Sequence, residues 1–533
     1  VRDWVWYLFF GYLLLGIWLS TDYGISTDEP IQRKHGIVAF EYFNEFTGWF
    51  PEVSSLTGEH LPSYDHRDYG MLFQTLAYGL ELALGIDNSR DVFRLRHLMV
   101  FVLFWCTCVV FHRILIRRFN SKYLALSGVL MLALSPRIFG DSMYNPKDIP
   151  LLCWFVFAFY THIRLLDDRD QYGPVLHGLA CALAIGSRVV GIVWPLLTLG
   201  YLVLHILSRR GEKGYVALVF RRIALYIPCV VLFTIVLWPV LWEDPVGSFI
   251  YSFNSMKQFR WYAEMLYMGE MVRSTALPWH YIIVWIAVTT PLSFLGVMVV
   301  GLGTGISSIF GSKLKWISEQ YLGMDMVALG AFAIPLVSVI LLDSVLYNGW
   351  RHLYFVYPFL VYMGVLGLHV LIAFCRKKRH VLGVQLFFVT SLVFAAFDLG
   401  KNLYFLARYH PHQSVYFNAL AGDVESNFER DYYGVSYKKG LTSLLELYPE
   451  KTLRIYSRDF TGKINTMNFP RTDAKRLIFV DRIEDAEFFI TLFNFRTKQQ
   501  YMEYLDKVFP YDQPVVFEIR VSGYRLFQVS WIH

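Results

Sequence analysis

Eleven apolar runs dominate the sequence, near residues 4–20, 93–116, 122–136, 148–166, 174–187, 190–208, 222–242, 280–302, 326–346, 352–375 and 381–399. A helix needs roughly 20 apolar residues to cross a bilayer. In lipid, every backbone N–H and C=O must be satisfied within the spanning segment or a closed barrel. The runs therefore predict a polytopic α-helical membrane protein of about eleven spans. The charge content agrees: only 17% of the 533 residues are Asp, Glu, Lys or Arg, against about 25% in soluble proteins. Much of the surface must then face hydrocarbon. The fifth and sixth runs are short, and Gly186, Arg188 and Gly191 interrupt them. They read as two half-buried helices that meet at Arg188.

Basic residues set the orientation. Arg113, Arg117, Arg118 and Lys122 follow the second run, and Arg164 and Arg169 follow the fourth. Arg209, Arg210, Lys213, Arg221 and Arg222 fill the next loop on the same side, then Lys313 and Lys315, then Arg376 to Arg379. With eleven spans all of these fall on one side, the cytoplasm by the positive-inside rule. The net charge of +6 is accounted for by these loops. No basic stripe with interleaved aromatics points to nucleic acid. No small-residue cleavage site follows Ser20, so the first run is expected to stay as a membrane helix. Cys106, Cys108, Cys153, Cys181, Cys229 and Cys375 lie in or beside apolar runs, and no disulfide is expected.

Three long segments then face away from the cytoplasm: 21–92, 243–279 and the tail, 400–533. The division is a membrane domain, 1–399, and an extracytoplasmic α/β domain, 400–533. In the tail, Leu453–Ser457, 476–480, 488–493 and Val515–Val521 are rich in β-branched and aromatic residues and read as strands. Residues 443–447 and 498–508 read as helices. In the first loop, 32–46 and 70–84 read as amphipathic helices suited to the membrane interface.

Just after the first run stands Ser26-Thr27-Asp28-Glu29-Pro30. Thr27 or Asp28 fits a helix cap ahead of Pro30. One carboxylate also fits a general base, which must reach an acceptor proton and stay ionised. Further on come Pro136-Arg137-Ile138-Phe139-Gly140, Asn145-Pro146-Lys147-Asp148, Arg188 between short spans, and Arg351-His352 ahead of Pro358. Together these resemble the GT-C glycosyltransferases, including the protein O-mannosyltransferases and the aminoarabinose transferases that act on lipid A. The resemblance covers roughly residues 1–400 and leaves the tail unmatched.

The resemblance implies a sugar donor on a polyprenyl phosphate and a hydroxyl acceptor. It implies Asp28 as the base, with Glu29 secondary. The leaving phosphate gains charge as its bond breaks, and fixed cations stabilise that charge. Arg suits phosphate through its planar fork. Arg188, Arg351, Arg137 and Lys147 are the donor-phosphate candidates. Each keeps a plainer alternative: Arg351 as an interfacial side chain, Arg137 and Lys147 as partners of Asp141 and Asp148. Asp68, Tyr69, Glu243, Asp244 and His352 are candidates for acceptor or sugar. Asp28, Asp65, Asp68, Glu243 and Asp244 also form a possible oxygen set for a divalent cation. No His/Cys spacing supports zinc, and the resemblance implies that no cofactor is required.

Trp238, Trp242, Trp261, Tyr262 and Trp279 crowd the second outer segment, as sugar platforms or as an interfacial belt. The junctions 409–418 and 428–434 are dense in polar aromatics, and fit either a roof over the site or the base of the tail domain. Other readings stay open: a transporter or flippase of lipid-linked sugars, and a polysaccharide polymerase or ligase. Transporters usually carry internal repeats, and none is visible. The lack of disulfides and the compact loops point to a bacterial inner or plasma membrane.

Overall fold

The computed structural model describes residues 4–50, 56–165, 167, 170–209, 211–257, 262–311 and 319–533. Arg169, Arg210, Trp261, Lys313 and Lys315 lie outside the described residues. Among the described residues, eight stretches are long and apolar enough to cross a membrane, and three shorter apolar helices accompany them. This is a multi-pass integral membrane protein.

The helices follow the apolar runs. They are α1 (Val5–Leu19), α2 (Glu29–Thr47), α3 (Leu72–Ala83), α4 (Ser89–Phe119), α5 (Lys122–Ala133), α6 (Pro136–Asp141), α7 (Asp148–Leu165), α8 (Gly173–Ser187), α9 (Val193–Ser208), α10 (Lys213–Leu237), α11 (Pro245–Lys257), α12 (Tyr281–Thr289), α13 (Leu292–Gly311), α14 (Gln320–Leu341), α15 (Tyr357–Lys377) and α16 (Leu382–Arg408). Several boundaries differ from the sequence reading. The run at 280–302 breaks at Pro291 into α12 and α13, because proline cannot donate within a helix. The run at 222–242 starts earlier, at Lys213, and ends at Leu237, before the 3-10 turn of Pro239–Leu241. The last helix runs on to Arg408, past the expected division at 399. Its apolar face is largely exposed, as a lipid-facing helix requires.

At the centre stands α15, buried on all sides from Tyr357 to Gly367. It meets α13 through glycines. A Cβ at Gly301 would come within 1.7 Å of the Met363 carbonyl oxygen, and one at Gly367 within 2.1 Å of the Val297 carbonyl oxygen. Between lipid-embedded helices close packing supplies the attraction, so small residues set the crossing.

The tail carries a five-stranded mixed sheet of β3 (Leu453–Ser457), β4 (Leu477–Phe479), β5 (Phe488–Thr491), β6 (Val515–Val521) and β7 (Tyr524–Trp531), after a short hairpin, β1 (Glu264–Tyr267) and β2 (Glu270–Arg273), in the second loop segment. The order is β4-β3-β5-β7-β6. β3 lies parallel to β4 and β5, while β7 runs antiparallel to β5 and β6. The sequence reading did not include β7 or the β1–β2 hairpin. Both turns hold a glycine at positive φ, Gly523 and Gly269, beside Ser522 and Met268 at positive φ. That is the backbone a two-residue hairpin turn needs. Helix Ser436–Leu447 packs its apolar face under the sheet, with Leu441 and Leu444 fully buried.

The tail docks on the first loop. Asn465 accepts a hydrogen bond from the Ile25 amide and donates to the Ile25 carbonyl, and the Thr27 amide donates to the Tyr433 carbonyl. Both therefore sit at the same end of the helix bundle.

Candidate active site

The Asp28 carboxylate stands at the N-terminus of α2 but makes no capping bond. The Ser26 amide donates to Glu29 Oε2 at 2.6 Å, which closes the turn ahead of α2. Glu29 Oε1 meets His97 Nε2 of α4 at 2.9 Å. Glu29 is fully buried, whereas Asp28 keeps 19% of its side chain accessible. The adjacent acids thus face different ways: Glu29 clasps α4 and Asp28 faces the site.

Asp28 Oδ2 accepts from Arg351 Nη1 at 2.7 Å. Arg351 sits in the 3-10 turn Arg351–Val356 that leads into α15. Its Nη1 also donates to the Tyr433 hydroxyl at 2.8 Å, and its Nη2 to the Tyr432 hydroxyl at 3.1 Å. Both tyrosine rings, and that of Tyr347, lie within 5 Å of the guanidinium carbon. Asp148, first residue of α7, stands 3.8 Å from the same Nη1. It accepts from Tyr433 at 2.8 Å, from Asn145 at 3.0 Å, and from Arg188. Arg188 has extended backbone and separates α8 from the turn Val189–Ile192. The interruption in the sequence there is the break that turns a guanidinium towards Asp148.

Lys147 precedes Asp148, with its ammonium 4.4 Å from the centre of the Tyr69 ring. Burial, then the charge of Arg188, push it down to about 7. Burial pushes the Asp28 carboxyl up, but the charges of Arg351 and Lys147 and the Arg351 hydrogen bond outweigh it and hold it below its usual value. Asp28 is therefore ionised at neutral pH. Tyr69 stacks on His35 with ring centres 5.4 Å apart, and burial keeps that imidazole neutral, at about 3. His352 packs on Tyr347 with ring centres 4.6 Å apart and lies in the field of Arg188, Arg351 and Lys147.

The structure thus gathers Asp28, Arg351, Arg188, Lys147, Tyr69 and His352 from well-separated segments. Asp68, Glu243 and Asp244 lie elsewhere, and Arg137 stands beside the cluster without joining it. Arg137 lies between the rings of Trp285 and Phe417, 5.5 Å from each, with no hydrogen bond or ion pair to Asp28 or Asp148. Asp68 accepts from Ser255. Glu243 accepts from Tyr42 at 2.9 Å, and Asp244 caps α11 through the Gly247 amide at 2.9 Å. The acids considered for a divalent cation therefore lie on separate elements and partners. Among the described residues, no group of three or more His, Cys, Asp or Glu is placed to hold a metal. Asp141 pairs with Tyr144 and lies in the field of Arg137. Trp238 is buried beside Phe249, while Tyr262 and Trp279 are exposed.

Tyr432, Tyr433, Asn145 and Asp148 complete the cluster without having been named as site residues. The signal for the tyrosines was the polar-aromatic junction 428–434. For Asn145 and Asp148 it was their place beside Lys147. Gln74 holds that loop: it donates to the Pro146 carbonyl at 2.8 Å and accepts from Arg96, which is itself paired with Glu81.

No protein-family model matches the sequence, and no curated protein matches it. Solved structures do. ArnT from Cupriavidus metallidurans bound to undecaprenyl phosphate aligns at 13% identity with a TM-score of 0.50, over 99% of this chain and 98% of its own. The same protein in its apo state aligns at 13% identity with a TM-score of 0.51, over 99% and 97%. Membrane bundle and tail together, this chain has the fold of ArnT over nearly its full length.

Proposed function

We propose that this protein transfers a sugar from a polyprenyl-phosphate donor to an acceptor hydroxyl, on the extracytoplasmic side of the membrane. The observation that carries the reading is the meeting of Asp28, Arg351, Arg188 and Lys147 around Asp148 at one end of the bundle. Ionisable groups at the end of a lipid-embedded bundle are costly, and function is the usual reason to keep them. The shared fold supports the donor class, since ArnT binds undecaprenyl phosphate. The positive-inside count over eleven spans supports the sidedness.

In this reading the donor phosphate lies against Arg351, Arg188 and Lys147. Phosphate competes with Asp28 for Arg351 and so loosens the 2.7 Å pair. Asp28, relieved of a stabilising cation, becomes a stronger base. The acceptor oxygen attacks the anomeric carbon, the bond from that carbon to the phosphate oxygen breaks, and the hydroxyl proton passes to Asp28. The electron pair leaves on the phosphate, where the cations hold it. A single displacement inverts the anomeric configuration. The step balances without a metal ion. Tyr69 and His352 line the approach for sugar or acceptor. Glu29 acts on the helix terminus through Ser26 and His97.

The test is release of polyprenyl phosphate from polyprenyl-phosphate hexose and pentose donors by purified protein. Donor binding without release would instead favour a transporter of lipid-linked sugars.

A further inference from the structure

Beside Arg351 lies a second feature, whose Arg137, Arg430, Asp141 and Asp431 the transfer step does not use. It is a cavity of about 20 Å³ lined by Arg137, Arg351, Arg430, Asp141, Asp431 and their aromatic neighbours. Arg137 and Arg351 belong to the membrane bundle, and Arg430 to the junction that leads into the tail. All three arginines are more than nine-tenths buried.

Their hydrogen-bonding is one-sided. Nε and Nη2 of Arg137, Nε and Nη2 of Arg430, and Nε of Arg351 have no acceptor among the described residues. Arg430 places only Nη1, on the Arg525 carbonyl at 2.6 Å. The carboxylates that line the cavity are already supplied. Asp431 accepts from the Gly434 amide at 2.9 Å, the Ser436 amide at 3.0 Å and the Ser436 hydroxyl at 2.6 Å. Asp141 accepts from Tyr144. Neither carboxylate has an unpartnered buried oxygen. The neighbouring Glu429 adds no negative charge at pH 7, because burial pushes its carboxyl up to about 8.

Each buried donor left without a partner costs about 1–3 kcal/mol. A water could accept from two of them and leave the others unmet. An anion brings acceptor capacity alone, enough for several of these donors at once. About 20 Å³ holds a water-sized body, and a monatomic anion is of that size. We infer that the cavity between Arg137 and Arg430 binds a monatomic anion, chloride under ordinary conditions, which ties the tail to the membrane bundle beside Tyr432 and Tyr433. This inference does not rest on the transferase reading.

The test uses the full chain in detergent, with the probe salts sodium chloride, sodium bromide, sodium phosphate and sodium gluconate at constant ionic strength. Chloride and bromide are expected to raise Tm over gluconate saturably, as ligand linkage requires, by about 2 °C or more. The Arg430→Gln variant is expected to lose that rise. Crystals grown with bromide are expected to give an anomalous peak between Arg137 and Arg430, a readout that stands even where the variant does not fold. No halide effect and no peak, a halide effect undiminished in Arg430→Gln, or stabilisation by phosphate without chloride would each overturn the assignment.

Discussion

Two buried arginine–aspartate clusters sit in the same helix bundle, and they are built differently. In one, Arg118 of α4 meets Asp325 of α14 through two bonds, Nε to Oδ1 at 2.7 Å and Nη2 to Oδ2 at 2.6 Å. Tyr362 of α15 adds a third at 2.7 Å. Arg118 lies 21 positions after His97 on α4, about 30 Å along the axis. This cluster is closed: one cation, one anion, paired fork to fork. In the other, Arg351, Arg188 and Lys147 surround Asp28 and Asp148, and below pH 7, where Lys147 is charged, cations outnumber anions. Arg351 shares its donors among a carboxylate and two tyrosines, and Asp28 stays partly accessible. A closed pair joins helices. A cluster with a spare cation and a reachable carboxylate is built to receive an anion.

The largest effect should separate the two clusters. Asp28→Asn is expected to lower the turnover of sugar transfer by about 10²–10⁴-fold, the usual worth of a general base, with Tm within a few degrees of wild type. Asp325→Asn is expected to do the reverse. Breaking one partner of a buried pair costs about 3–5 kcal/mol, so Tm falls while turnover per folded molecule stays unchanged. Loss of turnover in folded Asp325→Asn protein would erase the distinction.

Next in size is the response of Lys147 to pH. Its ammonium, held at about 7, is charged below that value and neutral above it. Donor binding should therefore be strongest below pH 7 and weaken as pH rises through 7. We expect KM for the donor to rise about tenfold between pH 6 and pH 8.5, the scale of one charge-assisted hydrogen bond. In Lys147→Gln the profile should be flat over that range. A rise that survives in the variant would place the titration on another group.

An effect of similar size belongs to the tail. Tyr433→Phe removes a hydroxyl that accepts from Arg351 and Asn145 and donates to Asp148. A net loss of about 1–2 kcal/mol predicts a fall of about five- to thirtyfold in kcat/KM. Tyr432→Phe, with a single 3.1 Å contact to Arg351, should cost less than tenfold. Equal and negligible effects at both would leave the tail as a bystander to the site.

Much of this was legible in the sequence, and the reasons differ by region. Apolar length reports spans directly, so the helices appear where the runs lie. Pro291 shows the limit: a break inside a run is visible only as one residue. The four strands read in the tail carry β-branched and aromatic stretches, whereas β7 mixes Arg525, Gln528 and Ser530 into its pattern, and Gln528 and Ser530 are buried. Its side chains answer to the sheet on both faces, which alternation does not show. In the site, Asp28, Arg188 and Arg351 stand out because charge at the end of an apolar run is expensive. Tyr432 and Tyr433 do not, since tyrosine is at home at any interface. Arg137 draws attention by its motif and its charge, but packing between Trp285 and Phe417 keeps it beside the cluster and out of its ion pairs. Which of two adjacent acids faces the site depends on which one reaches Ser26 and His97, a contact 68 positions away in the case of His97.

The most direct test follows polyprenyl phosphate released from a polyprenyl-phosphate sugar donor by wild type, Asp28→Asn and Asp325→Asn, each normalised to folded protein. The account predicts release by wild type and Asp325→Asn, and its loss in Asp28→Asn. Equal release by Asp28→Asn and wild type would contradict it.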